Sequence, residues 1–330
     1  MNKETDVVGI GHAIVDILAK VPDDFLKINV LQKGSMALID EKTAADLCCN
    51  IIAEQEAPGG SAANTIAGLA SLGRKTAFIG KVKSDPLGNT FENGLTCMGI
   101  QCKAIKENNG ISTARCIVFV TPDAQRTMCT FLGIAGALNM EDIKKNEPVI
   151  SGSKILYLEG YLWDKPEAIL AIREAIKIAK NSGGKIAFSL SDSFCVQRHR
   201  EDFLDLIKND LDIVFANEAE IIALFEKNDF NAACRECKNY KIIWALTRSE
   251  KGSTIISQDI VIDIEADHTG NLIDTTGAGD LYAAGFLNGF VANKDLKTCG
   301  KMGSIAASEI ISHYGARPEQ SLEELFKKKL

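Results

Sequence analysis

The sequence predicts an α/β protein: a doubly wound, mostly parallel sheet flanked by helices, with a small discontinuous β-sheet as a lid. From residue 150 onward, strand-like apolar runs alternate with segments of helical period, the mark of a parallel sheet covered by helices. Before residue 150 the texture changes to short, partly alternating segments that suit a half-exposed sheet. No repeat, low-complexity tract or Pro/Gly/Ser linker divides the 330 residues, so one domain over 1–330 is expected.

In chain order, residues 6–8 read as a strand, followed by strand-like 13–19 and 35–39. Helical material follows at 61–72 and 87–98, then strands at 113–120 and 126–132. The lid is expected to draw its strands from about 12–20, 34–40 and 111–133 and to cover one end of the body. The second half opens with a strand at 154–159 and a helix at 166–181, whose Ile169, Ile172, Ile176 and Ala179 share one face. Strand 185–190, a helix from about Arg200, strand 212–216, a helix from about Glu218 and strand 241–247 complete the alternation.

The formal charge is −7, with 44 acidic and 37 basic side chains, which excludes a protein built mainly around nucleic-acid phosphates. The start is polar with no apolar segment behind it, and no run approaches the roughly 18 apolar residues of a spanning helix. A cytoplasmic protein without membrane partners is expected. Ten scattered cysteines, with Cys97, Cys116 and Cys129 inside apolar stretches, read as reduced core thiols. Cys234 and Cys237 form a lone CxxC in a charged, helix-like segment, with no second pair or nearby His to complete a zinc site.

The sharpest chemical signal is Asp274-Thr275-Thr276-Gly277-Ala278-Gly279-Asp280, running directly into small and apolar residues 281–290. Gly277, Ala278 and Gly279 leave backbone N–H groups uncovered at the positive end of a helix, an anion hole. Asp280 beside it suits a base that takes a hydroxyl proton while the amides hold a transferring phosphoryl group; taken alone, the segment reads first as a glycine turn with an acidic helix start. Gly59-Gly60-Ser61 opens a second helix, where glycine admits a ligand to the backbone and Asn64 offers a donor and an acceptor. Asn217 and Glu220 follow a strand at its carboxyl end, where ligands bind in open parallel sheets, and suit a metal or its waters. The same spacing serves an N-cap Asn with a capping-box Glu, and both readings stay open.

Two better-known nucleotide motifs fail. Gly68 and Gly73 have P-loop spacing, but Arg74 stands where Lys is required. Gly9 and Gly11 begin a dinucleotide fingerprint, yet Ile14 replaces its third glycine.

With the Gly59/Gly60/Asn64, Asn217–Glu220 and 274–280 elements in this order, the chain resembles the PfkB family, the ribokinase-like carbohydrate and nucleoside kinases, over residues 7–318. The resemblance implies a ribokinase-like fold with Asp280 as catalytic base and Gly277, Ala278 and Gly279 as the anion hole. It implies ATP as co-substrate, with Asn217, Thr247, Gly252 and Gly279 in its site, and Mg2+ organised by Glu220 through water. Asp16 matches the family's sugar-hydroxyl acceptor, with Gly60 and Asn64 completing that site. Asp274, Thr276 and the loop around Gly315 lie where many members bind a monovalent cation such as K+.

Residues 34–40, Gln125-Arg126-Thr127-Met128, Gly160-Tyr161-Leu162 and Gly315-Ala316-Arg317-Pro318 look most like bacterial adenosine-kinase-like members. Tyr161 then stacks on a purine or packs the rim. His12 stands where such members usually carry Asn. His199, His268 and His313 read as surface or loop residues. The implied reaction is ATP-dependent phosphorylation of a nucleoside 5'-hydroxyl, adenosine above all, by a monomer or homodimer. The alternatives are a sugar kinase and a non-catalytic nucleoside-binding protein.

Overall fold

The computed structural model describes residues 3–123, 125–267 and 272–330. The first half contains β1 (Thr5–Ile10), β2 (Ile14–Lys20), α1 (Asp23–Ile28), β3 (Met36–Leu38), α2 (Glu41–Cys49), β4 (Gln55–Gly59), α3 (Ser61–Ser71), β5 (Thr76–Ile79), β6 (Lys81–Lys83), α4 (Pro86–Cys97), β7 (Gln101–Cys102), β8 (Ile105–Glu107), β9 (Ala114–Val120) and β10 (Arg126–Phe131). It continues with α5 (Met140–Lys145), α6 (Glu147–Ser151), β11 (Ser153–Glu159), α7 (Pro166–Asn181), β12 (Lys185–Ser189), α8 (Ser193–Asn209), β13 (Ile213–Asn217), α9 (Glu218–Phe225), α10 (Phe230–Cys237) and β14 (Ile243–Thr247). The last stretch holds β15 (Ser253–Ser257), β16 (Ile260–Ile264), α11 (Ala278–Val291), α12 (Leu296–Ile310) and α13 (Leu322–Lys329).

Nine strands form the main sheet in the order β16-β15-β14-β13-β12-β11-β1-β5-β7. Strands β14 to β7 pair in parallel, while β15 and β16 add an antiparallel edge. Alternate residues of each strand feed two cores. Val8, Leu156, Phe188 and Trp244 face α7, α8 and α9, whereas Val7, Tyr157, Phe215 and Ala245 face α3, α11 and α12. Helices on both faces explain why these strands read as continuous apolar runs.

The smaller sheet has the order β3-β10-β9-β2-β4. Its period of two is visible on β9: Ile117 and Phe119 pack with Leu26 of α1 and Leu47 of α2, while Cys116 and Val118 pack with Ile14, Leu18 and Met128. That second face lines a cavity over the carboxyl edge of the main sheet.

Several expectations are corrected. The helix expected from about Arg200 begins at Ser193, because Asp192 caps it by accepting the N–H of Cys195, and the chain kinks at His199 (φ −122°). Strand 35–39 shrinks to β3, and β4, β15 and β16 were not foreseen. Cys97 is exposed at the end of α4, while Cys116 and Cys129 are buried; all ten cysteines are free. His199 and His313 are largely covered, with side chains 17% and 11% exposed, held by Asp164 and Glu309. His268 lies outside the described residues. Among the described residues no helix is long and apolar enough to cross a membrane.

Candidate active site

Asp280 lies in the first turn of α11, whose N-cap is Gly277 in the left-handed region (φ 79°). No side chain caps this helix start. A Cβ on Gly277 would meet Ala316, and one on Gly279 would point into open space. The first-turn amides of α11 thus face a hollow of about 360 Å3 that Asn217, Glu220, Thr247, Gly277, Ala278, Gly279 and Asp280 also line.

Ser61 Oγ donates to one Asp280 oxygen at 2.6 Å and Asn64 Nδ2 to the other at 3.0 Å. Both donors belong to α3, which begins immediately after Gly60 (φ 91°). Asn64 Oδ1 is buried and has no hydrogen-bond partner among the described residues. A buried acceptor of this kind calls for a donor from a ligand. Burial pushes the Asp280 carboxyl up to about 6, against the bonds from Ser61 and Asn64 and the nearby Arg317 guanidinium.

Asp16 reaches the same place from β2. Residues 14–18 pair antiparallel with β4, and an added Cβ at Gly59 would collide with the Asp16 carboxylate. Burial likewise raises Asp16 to about 6, opposed by Arg317 and Arg126. The half-buried Arg317 is anchored by donating to the carbonyls of Ala63 at 3.0 Å and Pro58 at 2.9 Å.

His12, Asp16, Gly60, Asn64, Tyr161 and Asp280 line one cavity of about 640 Å3, together with Ile14, Leu18, Val118 and Met128 of the small sheet. Burial lowers His12 to about 4, so its ring is neutral at neutral pH. A third hollow, of about 380 Å3, is lined by Thr247, Gly252, Thr275, Gly279 and Tyr282. The hollows share walls: Ser61, Tyr161 and Asp280 belong to the first and the largest, and Thr247, Ala278 and Gly279 to the first and the third.

Glu220 completes a capping box with Asn217: it accepts the Asn217 N–H at 3.0 Å, and Asn217 Oδ1 accepts the Glu220 N–H at 2.9 Å. Burial raises its carboxyl to about 7. Its side chain also lines the 360 Å3 hollow, so the capping and ligand-facing placements coincide. No group of three or more His, Cys, Asp or Glu among the described residues could hold a bare ion. One carboxylate at the wall fits a hydrated divalent cation carried by phosphates.

Asp274 is taken up differently. Arg126 Nη1 donates to Asp274 Oδ2 and to Thr276 Oγ1, each at 2.6 Å. Gly315 and Thr276 donate backbone N–H groups to the two Asp274 oxygens, at 3.0 Å each. A guanidinium rather than a vacant oxygen cage meets these side chains, and they do not fit a monovalent cation.

Arg126, Glu159 and Arg317 are site residues to which sequence reasoning gave no role, and Ser61, readable from sequence as a helix cap, is instead the first residue of α3 after the N-cap Gly60. Arg126 and Arg317 stood inside motifs that marked the resemblance, and Glu159 was legible only as a charge ending an apolar strand.

Solved structures place this architecture among ribokinase-like kinases. An adenosine kinase from Sinorhizobium meliloti is 42% identical, with a TM-score of 0.91 over 99% of this chain and 100% of that one. A probable sugar kinase from Rhizobium etli is 40% identical, with a TM-score of 0.91 over 99% of each chain. A 5-dehydro-2-deoxygluconokinase from Halalkalibacterium halodurans is 26% identical over 98% of this chain and 94% of its own. The class is therefore a phosphotransferase with an alcohol group as acceptor, acting on a small sugar or nucleoside. Residues 39–323 match the pfkB family carbohydrate kinases, and the chain belongs to that family. Membership implies ATP as co-substrate and, usually, a divalent metal.

Proposed function

We propose that the protein transfers the γ-phosphoryl group of ATP to the 5'-hydroxyl of adenosine or a close nucleoside, in the cytoplasm. The observation that carries this reading is the continuous run of three hollows that meet at the first turn of α11, with Asp280 on the wall of the largest. The hollow beside Thr247 and Gly252 takes the ATP base and ribose. The one at Gly277, Ala278 and Gly279 takes its phosphates, and the largest takes the acceptor.

Asp16 accepts from vicinal ribose hydroxyls, and Asn64 Oδ1 gains the donor it lacks. Holding the ribose there orients the primary hydroxyl toward Asp280. Asp280 carries a second lone pair on each oxygen beyond those used by Ser61 and Asn64, so it can take the hydroxyl proton. The first-turn amides of α11 and the helix dipole stabilise charge on the transferring group. Glu220 and Asn217 would hold Mg2+ through water, and bound Mg2+ neutralises phosphate charge. K+ has no step, because Arg126 engages Asp274 and Thr276 while the amides of Thr276 and Gly315 donate to Asp274.

The apolar wall of Leu18, Val118 and Met128, with Tyr161 across the cavity, offers a surface that a purine uses and a monosaccharide does not. The second reading, a sugar or sugar-acid kinase, is favoured by the curated Halalkalibacterium relative. ADP release with adenosine, inosine, 2'-deoxyadenosine, ribose, fructose and 5-dehydro-2-deoxygluconate separates them. Adenosine should lead and exceed 2'-deoxyadenosine by at least about tenfold, since loss of one hydroxyl leaves Asp16 under-satisfied. A sugar or sugar acid ahead of every nucleoside overturns the nucleoside assignment. Binding without turnover of any of them overturns the enzyme reading.

A further inference from the structure

Glu159 is 1% exposed and ends β11 at the floor of the acceptor cavity. Each of its oxygens accepts a backbone N–H from a different segment: His12 to Oε1 and Ala62 to Oε2, both at 2.8 Å. His12 lies in the turn between β1 and β2 that leads to Asp16. Ala62 is the second residue of α3, whose Ser61 and Asn64 grip Asp280. The packing is built around this carboxylate. A Cβ on Gly11 would come within 2.6 Å of Glu159 Oε2 and 2.7 Å of the Ala62 Cβ, and one on Gly60 would strike the His12 carbonyl.

Among the described residues the only cationic group within ion-pair range is His12, with Nδ1 3.6 Å from Oε1. Its ring is neutral at neutral pH, as shown above. A buried carboxylate without a cation is costly; two amides offset part of that cost, and burial still pushes Glu159 up to about 7. Phosphoryl transfer to a hydroxyl needs one base, and Asp280 fills that role in the reading above.

We propose that Glu159 is a positioning residue that ties the Asp16-bearing turn to the α3 start that holds Asp280, acting through the two backbone amides and not through a bond to the acceptor. Its carboxylate spaces the group that grips the acceptor from the group that takes its proton. The inference rests on the acceptor-site reading of Asp16 and Asp280, but not on which acceptor is used.

Glu159→Gln puts an amide NH2 against one of the two N–H donors. The expected result is a fall in kcat/KM for the acceptor of roughly 10- to 100-fold, the range for losing a hydrogen bond to a charged group. KM for ATP should stay within about twofold, because the walls of that site come from other elements. The loss should be the same factor for every acceptor that the wild type uses, including analogues lacking the 2'- or 3'-hydroxyl. Gly11→Ala displaces the same carboxylate and should give the same split, and the double variant should lose little more than the worse single one. If Glu159→Gln yields no folded protein, Gly11→Ala decides alone.

Loss that disappears for one hydroxyl-deleted analogue would show a direct contact and overturn the proposal. Unchanged acceptor kinetics with a lower Tm, or equal losses toward ATP and acceptor, would also overturn it. A wild type that prefers ribose or fructose sinks the nucleoside reading alone, since the variant-to-wild-type ratio is then measured on that sugar.

Discussion

At the scale of single residues, Asp280 carries the strongest expectation. Asp280→Asn keeps the size and one acceptor oxygen but removes the base, so kcat should fall by roughly 10²- to 10⁴-fold while the acceptor still binds. Near-normal kcat from steady-state assays would remove Asp280 from that role. This residue drew attention because its helix start stands together with the Gly59/Gly60/Asn64 and Asn217/Glu220 elements; alone, the same segment suits a plain glycine turn with an acidic helix start. The site roles of Ser61 and Glu159 were not legible, because they depend on distant partners: Ser61 meets Asp280 across 219 positions of chain, and Glu159 meets His12 across 147. No local spacing encodes such pairs.

At the scale of elements, the α9 start tests two roles in one side chain. Glu220→Gln keeps one acceptor for the Asn217 N–H but loses the charge beside the phosphate hollow. The magnesium concentration for half activity should rise more than the acceptor KM, at fixed ATP, and thermal unfolding should show a loss of about 1 kcal/mol or less. An unchanged magnesium profile would leave Glu220 as a helix cap only. Elements with full apolar periodicity, such as α7, could be read closely from sequence, since burial of one face sets both period and length. The kinked start of α8 and the short edge strand β4 escaped. There, a single cap or a tertiary pairing decides the structure, and local pattern contributes little.

For the whole molecule, four desolvated carboxyls set opposite pH trends for folding and activity. Asp16 and Asp280 are raised to about 6, and Glu159 and Glu220 to about 7. Their unfolded values lie near 4, so the folded state binds more protons between roughly pH 4 and 7 and stability falls as pH rises through that window. His12, lowered to about 4, opposes this, because the unfolded chain protonates it first on acidification. Four groups outweigh one, and Tm of the unliganded protein should rise from pH 7 to pH 5. Over the same interval kcat/KM should fall, as Asp16 and Asp280 must both be ionised. Parallel Tm and kcat/KM curves would contradict this electrostatic account.

Arg126 has a consequence for how the two substrates sense each other. It leaves β10 of the small sheet, lies 5.9 Å from the Tyr314 ring, and ends on Asp274 and Thr276, directly before the Gly277 turn that opens α11. With ATP bound at that turn, as proposed, an acceptor that moves the small sheet also moves the ground on which ATP binds. Linkage makes that influence mutual: whatever factor the acceptor contributes to ATP affinity, ATP must return to the acceptor. Titrating each ligand with and without a non-hydrolysable or unreactive form of the other should give one common factor. Arg126→Ala should bring that factor toward one, so that the two sites bind as strangers on the same molecule.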